Sequence, residues 1–346
     1  MPIYEKWSDA VGRTPLVRLC ALDRELPAKI AVKLEYLNPL GSMKDRIAVT
    51  MLEEAVRSGA LRPGMTVVEA TNGNTGIALA AVCACWGYPI VVVMPESMSL
   101  ERRILLTQLG ARVCLTPAEL GLVGAFAKVS ELVSQDPSFH FINQGANAEN
   151  PRAHYRTADE IWQDTAGAVD IVVQGVGTGG SFRGLSDRLR GLKPNLRMIA
   201  VEPEESAVLS GGERGVHAIP GIGPGIVPPM LEGAWPDAVE KVSTDLALVT
   251  ARRMIAEEGI PAGISSGAMM AAALRVASEP SNAGKLVVTF APSQVERYLT
   301  TPLADEARAR AARMPVLPID PIHLEAVKQQ QRPFRETKHE TIDASA

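Results

Sequence analysis

One lysine in the sequence lies where its amine could react with an aldehyde. Residues 38–46 read Asn-Pro-Leu-Gly-Ser-Met-Lys-Asp-Arg and place Lys44 just inside the start of a predicted helix, directly after a Pro/Gly/Ser turn. The first turn of a helix carries roughly half a positive charge, so we expect a lowered pKa for the Lys44 ammonium. A lysine that readily becomes a neutral amine is a nucleophile for aldehydes. The alternative is an ordinary surface lysine, solvated and paired with Asp45.

A glycine-rich loop farther along the chain has the composition of a phosphate site. Residues 175–180 read GVGTGG, follow the predicted strand IVVQ (171–174) and lead into a helix opened by Ser181 and Gly184. Glycines let the backbone approach an anion, and the dipole of the following helix favours negative charge. The same glycines, followed by Glu202 at the end of the next strand, also fit a dinucleotide-binding fingerprint.

A third loop, residues 71–76, argues against a dinucleotide-binding enzyme, which would use neither this loop nor the one before Lys44. It reads Thr-Asn-Gly-Asn-Thr-Gly, directly after the predicted strand TVVEA and before an Ala-rich helix. Hydroxyls and an amide at the carboxyl end of a strand suit a carboxylate or a phenolic oxygen. The alternative is a capped turn with Thr75 as the helix N-cap.

Alternating short apolar runs and helical patterns would position these three loops. The predicted strands are 66–70, 91–95, 111–116, a segment around 141–143, 171–174, 198–202 and 286–291. The predicted helices include 118–134, 152–165, one from about 180, 244–258 and 266–278. Strands spaced by helices indicate parallel sheets, and strands that are apolar throughout indicate helices on both faces. The fold class is therefore α/β, with two sets of units forming two lobes around a cleft.

The composition favours a small-molecule partner. Of 346 residues, 35 are Lys or Arg and 39 are Asp or Glu, without a long block of one sign, so nothing indicates nucleic acid or an anionic membrane as partner. No apolar run approaches the ~20 residues that span a bilayer, and the N-terminus lacks a signal-peptide pattern, so we expect a cytoplasmic protein. Metal-ligand spacing is lacking, and the cysteines expected to be reduced core thiols are Cys20, Cys83, Cys85 and Cys114.

The three loops, in this order, resemble the fold-type II pyridoxal-phosphate family, most closely the cysteine synthases (O-acetylserine sulfhydrylases) and the related cystathionine β-synthase core. The resemblance runs from about residue 8 to 305 and implies a tryptophan synthase β-like fold with pyridoxal 5′-phosphate as cofactor. The motifs that carry it are GRTPLVRL (12–19), NPLGSMKDR (38–46), EATNGNTGIALA (69–80), PESMSLERR (95–103), NPRAHY (150–155), GVGTGGSFRG (175–184), HAIPGIGPGIVP (217–228), GISSGA (263–268) and ERYLTT (296–301).

The resemblance implies roles for the cofactor-binding residues. Lys44 matches the lysine that forms the internal aldimine and, once freed, moves the α-proton of the substrate. Asn74 matches the asparagine beside the 3-oxygen of the coenzyme, and Ser265 matches the group that faces the pyridine nitrogen. The residues that match the phosphate cradle are Gly177, Thr178, Gly179, Gly180 and Ser181.

A hydroxyl at Ser265 has a mechanistic consequence. It cannot hold the pyridine nitrogen protonated as a carboxylate would, so the ring is a weaker electron sink, and loss of a β-leaving group is favoured over transamination. Ser265 and Ser266 could at the same time cap their helix. The residues that match the family's site for the substrate carboxylate are Thr71, Asn72, Thr75 and Gln144.

Departures from the family pattern cluster at the amino-acid substrate. Cysteine synthases usually have serine at the position of Asn72, and an aromatic residue where Gly145 follows Gln144. Loss of that ring should open room on the order of 100 Å³ beside the substrate. The segment RTADEI (156–161) is also one residue shorter than its usual counterpart.

We therefore predict a β-replacement in which an O-activated serine or related amino acid loses its β-substituent to give an aminoacrylate, which adds a nucleophile larger than or different from sulfide. The alternative is a β-eliminating lyase or dehydratase of serine, threonine or cysteine.

The resemblance further implies a homodimer. Within each chain it implies a large coenzyme-anchoring domain (1–38 and 147–305), a smaller movable substrate domain (39–146) and a C-terminal helix with a polar tail (306–346).

Overall fold

Strands and helices alternate along the part of the chain that the computed structural model describes, residues 3–71 and 73–330. The strands are β1 (Leu16–Arg18), β2 (Lys29–Lys33), β3 (Thr66–Ala70), β4 (Ile90–Pro95), β5 (Arg112–Thr116), β6 (Phe139–Phe141), β7 (Val169–Gly175), β8 (Arg197–Pro203), β9 (Ala238–Val242) and β10 (Leu286–Phe290). The helices are α1 (Lys44–Arg57), α2 (Asn74–Trp86), α3 (Leu100–Gln108), α4 (Gly121–Gln135), α5 (Glu149–Asp164), α6 (Gly180–Leu192), α7 (Thr244–Glu258), α8 (Ile264–Ser278), α9 (Asp305–Ala311) and α10 (Pro321–Gln330). In these two ranges no helix has the length and apolarity needed to cross a membrane.

The strands form two sheets. The larger has the order β1-β2-β10-β7-β8-β9, and the smaller has the order β5-β4-β3-β6. Neighbouring strands are parallel, except that β1 runs antiparallel to β2. Parallel strands need crossover connections, and ligands of such sheets bind beyond the carboxyl ends of the strands. The predicted α/β class is confirmed.

Helices cover the sheets, and the central strands are buried on both faces. All six residues of β4 are buried, as are the last four of β3. One apolar cluster surrounds the larger sheet, and two smaller clusters pack against the smaller one. Edge strand β5 is partly exposed, so the expectation of fully apolar, covered strands holds for the centre of each sheet but not for this edge.

Most elements begin and end within a few residues of the sequence-based boundaries, but three strands are additional. These are β1, β2 and β9, which read LVR, KIAVK and AVEKV. Charged residues interrupt their apolar pattern, and Lys33 in β2 is fully buried because ion pairs satisfy its ammonium. Sequence periodicity cannot reveal a strand whose charges are neutralised by distant residues.

Contacts divide the chain into two compact units, residues 1–304 and 305–346. The second unit contains two helices, α9 and α10, where the sequence predicted one; residues 331–346 lie outside the described part. All four strands of the smaller sheet fall within residues 39–146, although the boundaries of a movable domain stay a prediction.

The four cysteines are free, but they are not all core thiols. Cys83 is buried and Cys114 is partly buried, whereas Cys20 and Cys85 are exposed. The prediction of core positions is therefore wrong for the two exposed ones, because each of them faces outward from an otherwise apolar segment.

Candidate active site

Lys44 is the first residue of α1, as the sequence predicts. The turn before it is held by a hydrogen bond from Met43 N to Pro292 O at 2.9 Å, and Lys44 N donates to Ser42 Oγ at 3.3 Å. Burial lowers the pKa of the Lys44 ammonium to about 8. The lowered pKa agrees with the sequence-based expectation, but its main cause is loss of water around the amine rather than the helix dipole.

Asp45 does not act as the partner of Lys44. Its Oδ2 accepts a hydrogen bond from Leu40 N at 2.6 Å, and burial raises the pKa of its carboxyl to about 7. The interpretation of Lys44 as a solvated lysine paired with Asp45 is therefore wrong.

Buried ion pairs fix the first turn of α1 immediately after Lys44. Arg46 Nε lies 2.7 Å from Glu35 Oε2, and Arg46 Nη2 lies 2.7 Å from Glu160 Oε2. Lys33 Nζ reaches the same Glu160 oxygen at 3.0 Å. Burial alone would raise the pKa of Glu160, but Arg46 and Lys33 lower it to about 2. The network ties α1 to α5 and to the end of β2.

The predicted phosphate loop connects β7 to α6. Gly179 has a φ of +85° and precedes the first helical residue, Gly180. The Ser181 hydroxyl accepts a hydrogen bond from Gln174 Nε2 at 2.8 Å. Backbone amides in the first turn of a helix lack helical acceptors, so those of α6 can hold an anion; the Gly180 N–H also donates to Thr178 Oγ1 at 3.4 Å.

Glycine is required in this loop because neighbouring groups leave no room for a side chain. A Cβ on Gly177 would lie 2.4 Å from Gly221 O, and a Cβ on Gly180 would lie 2.0 Å from Asn150 Oδ1. The absence of side chains lets the loop pack against Gly221 and Asn150 and lets an anion approach its backbone amides, which fits the phosphate of the expected cofactor.

The loop before α2 is joined to the segment that contains Gln144. Thr75 Oγ1 donates to Gln144 Oε1 at 2.7 Å, and both Thr71 and Thr75 are buried. The N-cap of α2 is Gly73 and not Thr75, so the alternative of a capped turn is wrong. Asn72 lies outside the described residues.

Gly145 leaves open space beside Gln144. A Cβ built on Gly145 would have only Asn143 Oδ1 within reach, at 4.0 Å. Gly145 has no positive φ, so a larger residue could occupy this position without backbone strain. The position is thus free to accept either a side chain or part of a ligand.

Asn150 connects the predicted substrate and phosphate loops, a role that the sequence did not reveal. Its Nδ2 donates to Gln144 O at 2.7 Å and to Thr178 Oγ1 at 3.2 Å. The residue occurs in the NPRAHY motif, which could have signalled a role, but Thr178 lies 28 residues farther along the chain. Only the folded chain shows that the two loops share one anchor.

A segment after β10, residues 292–298, holds the start of α8, where Ser265 lies. Gly263, the N-cap of α8, donates its N–H to Ser293 O at 3.0 Å. Ser265 and Ser266 lie inside the first turn and neither caps the helix, so that interpretation is wrong. Ser266 Oγ is buried without a hydrogen-bond partner among the described residues.

The same segment reaches the start of α2. The Arg297 guanidinium donates hydrogen bonds to Asn74 Oδ1 and to Leu40 O. Sequence analysis assigned no role to Arg297, although it belongs to the ERYLTT motif. Through these contacts segment 292–298 joins the loop before Lys44, the start of α8 and the start of α2, while Asn150 joins the phosphate loop to Gln144.

Comparison with known proteins agrees with this geometry. Residues 7–292 match the family model described as "Pyridoxal-phosphate dependent enzyme". The cysteine synthase of Haemophilus influenzae is 48% identical over 312 residues, which cover 88% of this chain and 98% of that protein.

Solved structures show the same similarity. O-acetylserine sulfhydrylase isoform 3 from Entamoeba histolytica has a TM-score of 0.85 at 42% identity and covers 87% of this chain and 92% of its own. The O-acetylserine dependent cystathionine β-synthase from Helicobacter pylori has a TM-score of 0.83 at 37% identity. The match covers 88% of this chain and 99% of that protein.

Proposed function

Because the chain belongs to the pyridoxal-phosphate dependent enzymes and, among them, to the cysteine synthase family, we propose that it replaces the β-substituent of O-acetylserine or a similar O-activated serine, with a nucleophile that can be larger than sulfide. The cofactor is pyridoxal phosphate, and the enzyme is a transferase of the cysteine synthase type. The observation that carries the proposal is the set of contacts that joins the start of α2, Gln144 and the phosphate loop beside an open Gly145.

In this proposal, the cofactor is held at three points. Backbone amides at the start of α6, with the Thr178 and Ser181 hydroxyls, hold the phosphate. Asn74 lies at the 3-oxygen, and the neutral Ser265 hydroxyl faces the pyridine nitrogen without supplying a negative charge. Bound pyridoxal phosphate supplies an aldehyde that reacts with amines and a ring that accepts an electron pair.

Lys44 is the proposed catalytic residue. With a pKa of about 8, roughly a tenth of Lys44 is a neutral amine at pH 7, far more than for an ordinary lysine, and its Nζ would be the group that bonds to the cofactor's aldehyde. The same nitrogen, when it is not bonded to the cofactor, would take the proton from the substrate Cα. The buried Arg46 network keeps α1, and therefore the Lys44 backbone, in a fixed position.

The substrate carboxylate is proposed to bind at the start of α2. Helix amides and the hydroxyls of Thr71 and Thr75 provide donors, and Gln144 provides a further amide. Asn72, which belongs to the same proposed set, lies outside the described residues. The open space at Gly145 would accommodate a nucleophile larger than sulfide.

The nucleophile is tested by steady-state kinetics with O-acetylserine and a panel that runs from sulfide to bulky thiols and amines. We expect Gly145→Phe to lower kcat/KM for bulky nucleophiles at least about tenfold and to change the value for sulfide less than about threefold, because an added ring removes only the space that large groups need. Gly145→Ala is the matched control and should behave like the natural enzyme.

Two results would contradict the proposal. One is efficient turnover of sulfide together with no turnover of any bulkier nucleophile by the natural enzyme. The other is steady release of pyruvate from O-activated serine when no nucleophile is present, which would indicate a lyase.

We also propose that the enzyme is a cytoplasmic homodimer, as expected from its sequence and from the resemblance to its family. The four free cysteines are consistent with a reducing compartment. Light scattering of the purified protein measures the mass of the assembly.

A further inference from the structure

Arg297 is the one residue of segment 292–298 whose side chain bridges to the start of α2. Its guanidinium donates to Asn74 Oδ1 and to Leu40 O, so it joins the loop before α1 to the first residue of α2. Arg297 is half-buried, and the carboxyl of Asp45 interacts electrostatically with its guanidinium. These contacts hold Arg297 in one place beside the predicted cofactor site.

The chemistry of a guanidinium decides how the Asn74 amide is oriented. Arginine carries only hydrogen-bond donors, so the Asn74 atom that it contacts must be the oxygen, and the NH₂ group must point elsewhere. A hydroxyl partner has no such effect, because it both donates and accepts; the Thr75 hydroxyl therefore does not fix the orientation of Gln144. The bond from a charged donor is also stronger than a neutral one.

We propose that Arg297 is a positioning residue that orients Asn74, so that its Nδ2 group donates a hydrogen bond to the 3-oxygen of bound pyridoxal phosphate. The inference rests on the proposed function, which places Asn74 at that oxygen. In the reversed orientation the amide would present its own oxygen to another acceptor, and the hydrogen bond would be lost. Arg297 thus acts through Asn74 and does not touch the reacting atoms.

The test uses holoenzymes of Arg297→Met, Asn74→Ala and the double variant. The visible absorption spectrum of the bound coenzyme reports the protonation of its 3-oxygen, and equilibrium dialysis gives its dissociation constant. We expect each single variant to shift the spectrum in the same sense and to weaken coenzyme binding roughly three- to tenfold. The double variant should match Asn74→Ala, because two residues that act through one hydrogen bond are not additive.

Two further variants separate orientation from general stability. Arg297→Lys keeps a cation with donors only and should retain most of the natural spectrum. Arg275→Met removes an arginine that donates to Lys241 O at 2.7 Å at the far end of α8, and it should leave the spectrum unchanged. If Arg297→Met does not fold, Arg297→Gln replaces it, because a glutamine also accepts and so allows Asn74 to flip.

The possible failures are distinguishable. A natural spectrum in Arg297→Met, or shifts that add in the double variant, together with an altered spectrum in Asn74→Ala, would overturn the positioning role alone. An unaltered spectrum in Asn74→Ala would overturn both this role and the proposed place of Asn74 at the cofactor.

Discussion

At the scale of single residues, the environment of Lys44 explains its lowered pKa. Charge on a buried amine is unfavourable because water cannot solvate it, and the pKa falls to about 8. Burial also lowers the pKa of His154, which interacts electrostatically with Lys44, to about 3. His154 is therefore neutral at pH 7 and adds no charge near the amine. At neutral pH, Lys44 therefore loses its proton more readily than an ordinary lysine.

The pH dependence of coenzyme capture follows from this pKa. Capture by the apoenzyme requires neutral Lys44, so we expect the rate to rise about tenfold per pH unit below pH 8 and to level off above it. Stopped-flow absorbance after addition of pyridoxal phosphate measures the rate, and Lys44→Ala should abolish the band. A rate that continues to rise to pH 10, as expected for an ordinary lysine, would contradict the assigned environment.

At the scale of elements, α1 depends on ion pairs that it makes with other parts of the chain. Arg46 contacts Glu35, which follows β2, and Glu160 in α5. A buried pair contributes little by itself, because desolvation offsets the attraction, but removing one partner leaves a buried charge without compensation. The network therefore makes the position of Lys44 depend on the larger sheet.

Removal of this arginine should be strongly destabilising. We expect Arg46→Met to lower the free energy of unfolding by about 3–5 kcal/mol, since Glu35 and Glu160 lose their main partner. Arg57→Met is the matched control on the same helix: Arg57 forms an exposed pair with Glu54, and its loss should cost no more than about 1 kcal/mol. Urea denaturation followed by circular dichroism measures both, and equal losses would contradict the structural role of the network.

At the scale of the whole molecule, the catalytic unit ends near residue 304. The family match covers residues 7–292, and the first compact unit contains both sheets and the whole candidate site. Helix α9 in the second unit has no buried residue. The proposed rotation of residues 39–146 over the substrate would take place within the first unit.

Truncation tests this division. We expect a chain that ends at Ala304 to bind pyridoxal phosphate with unchanged stoichiometry, to keep the mass of a homodimer in light scattering, and to melt within about 3 °C of the full chain, because the apolar core clusters of the described residues all lie before residue 305. Insolubility of the truncated chain, or its conversion to monomers, would show that residues 305–346 contribute to the fold or to assembly.

The sequence by itself determined the fold class and the cofactor, and it supplied the residues that are proposed to hold the cofactor. Alternation of apolar strands with helices is a local property, and loops such as NPLGSMKDR and GVGTGG act through their own backbone and the helix that follows. Such features can be inferred without knowledge of distant contacts. The family comparisons confirmed the class, the cofactor and the type of reaction.

Only the tertiary structure decided how these loops are joined and why Lys44 has a low pKa. Desolvation depends on everything packed around the amine, and Asn150 and Arg297 contact Thr178 and Asn74, which lie 28 and 223 residues away in the sequence. Strand β2 was not predicted for a similar reason, since the burial of Lys33 depends on Glu160 and Asp164 in α5. Charges that are satisfied by distant residues leave no periodic signal in the sequence, so their roles emerge only when the chain is folded.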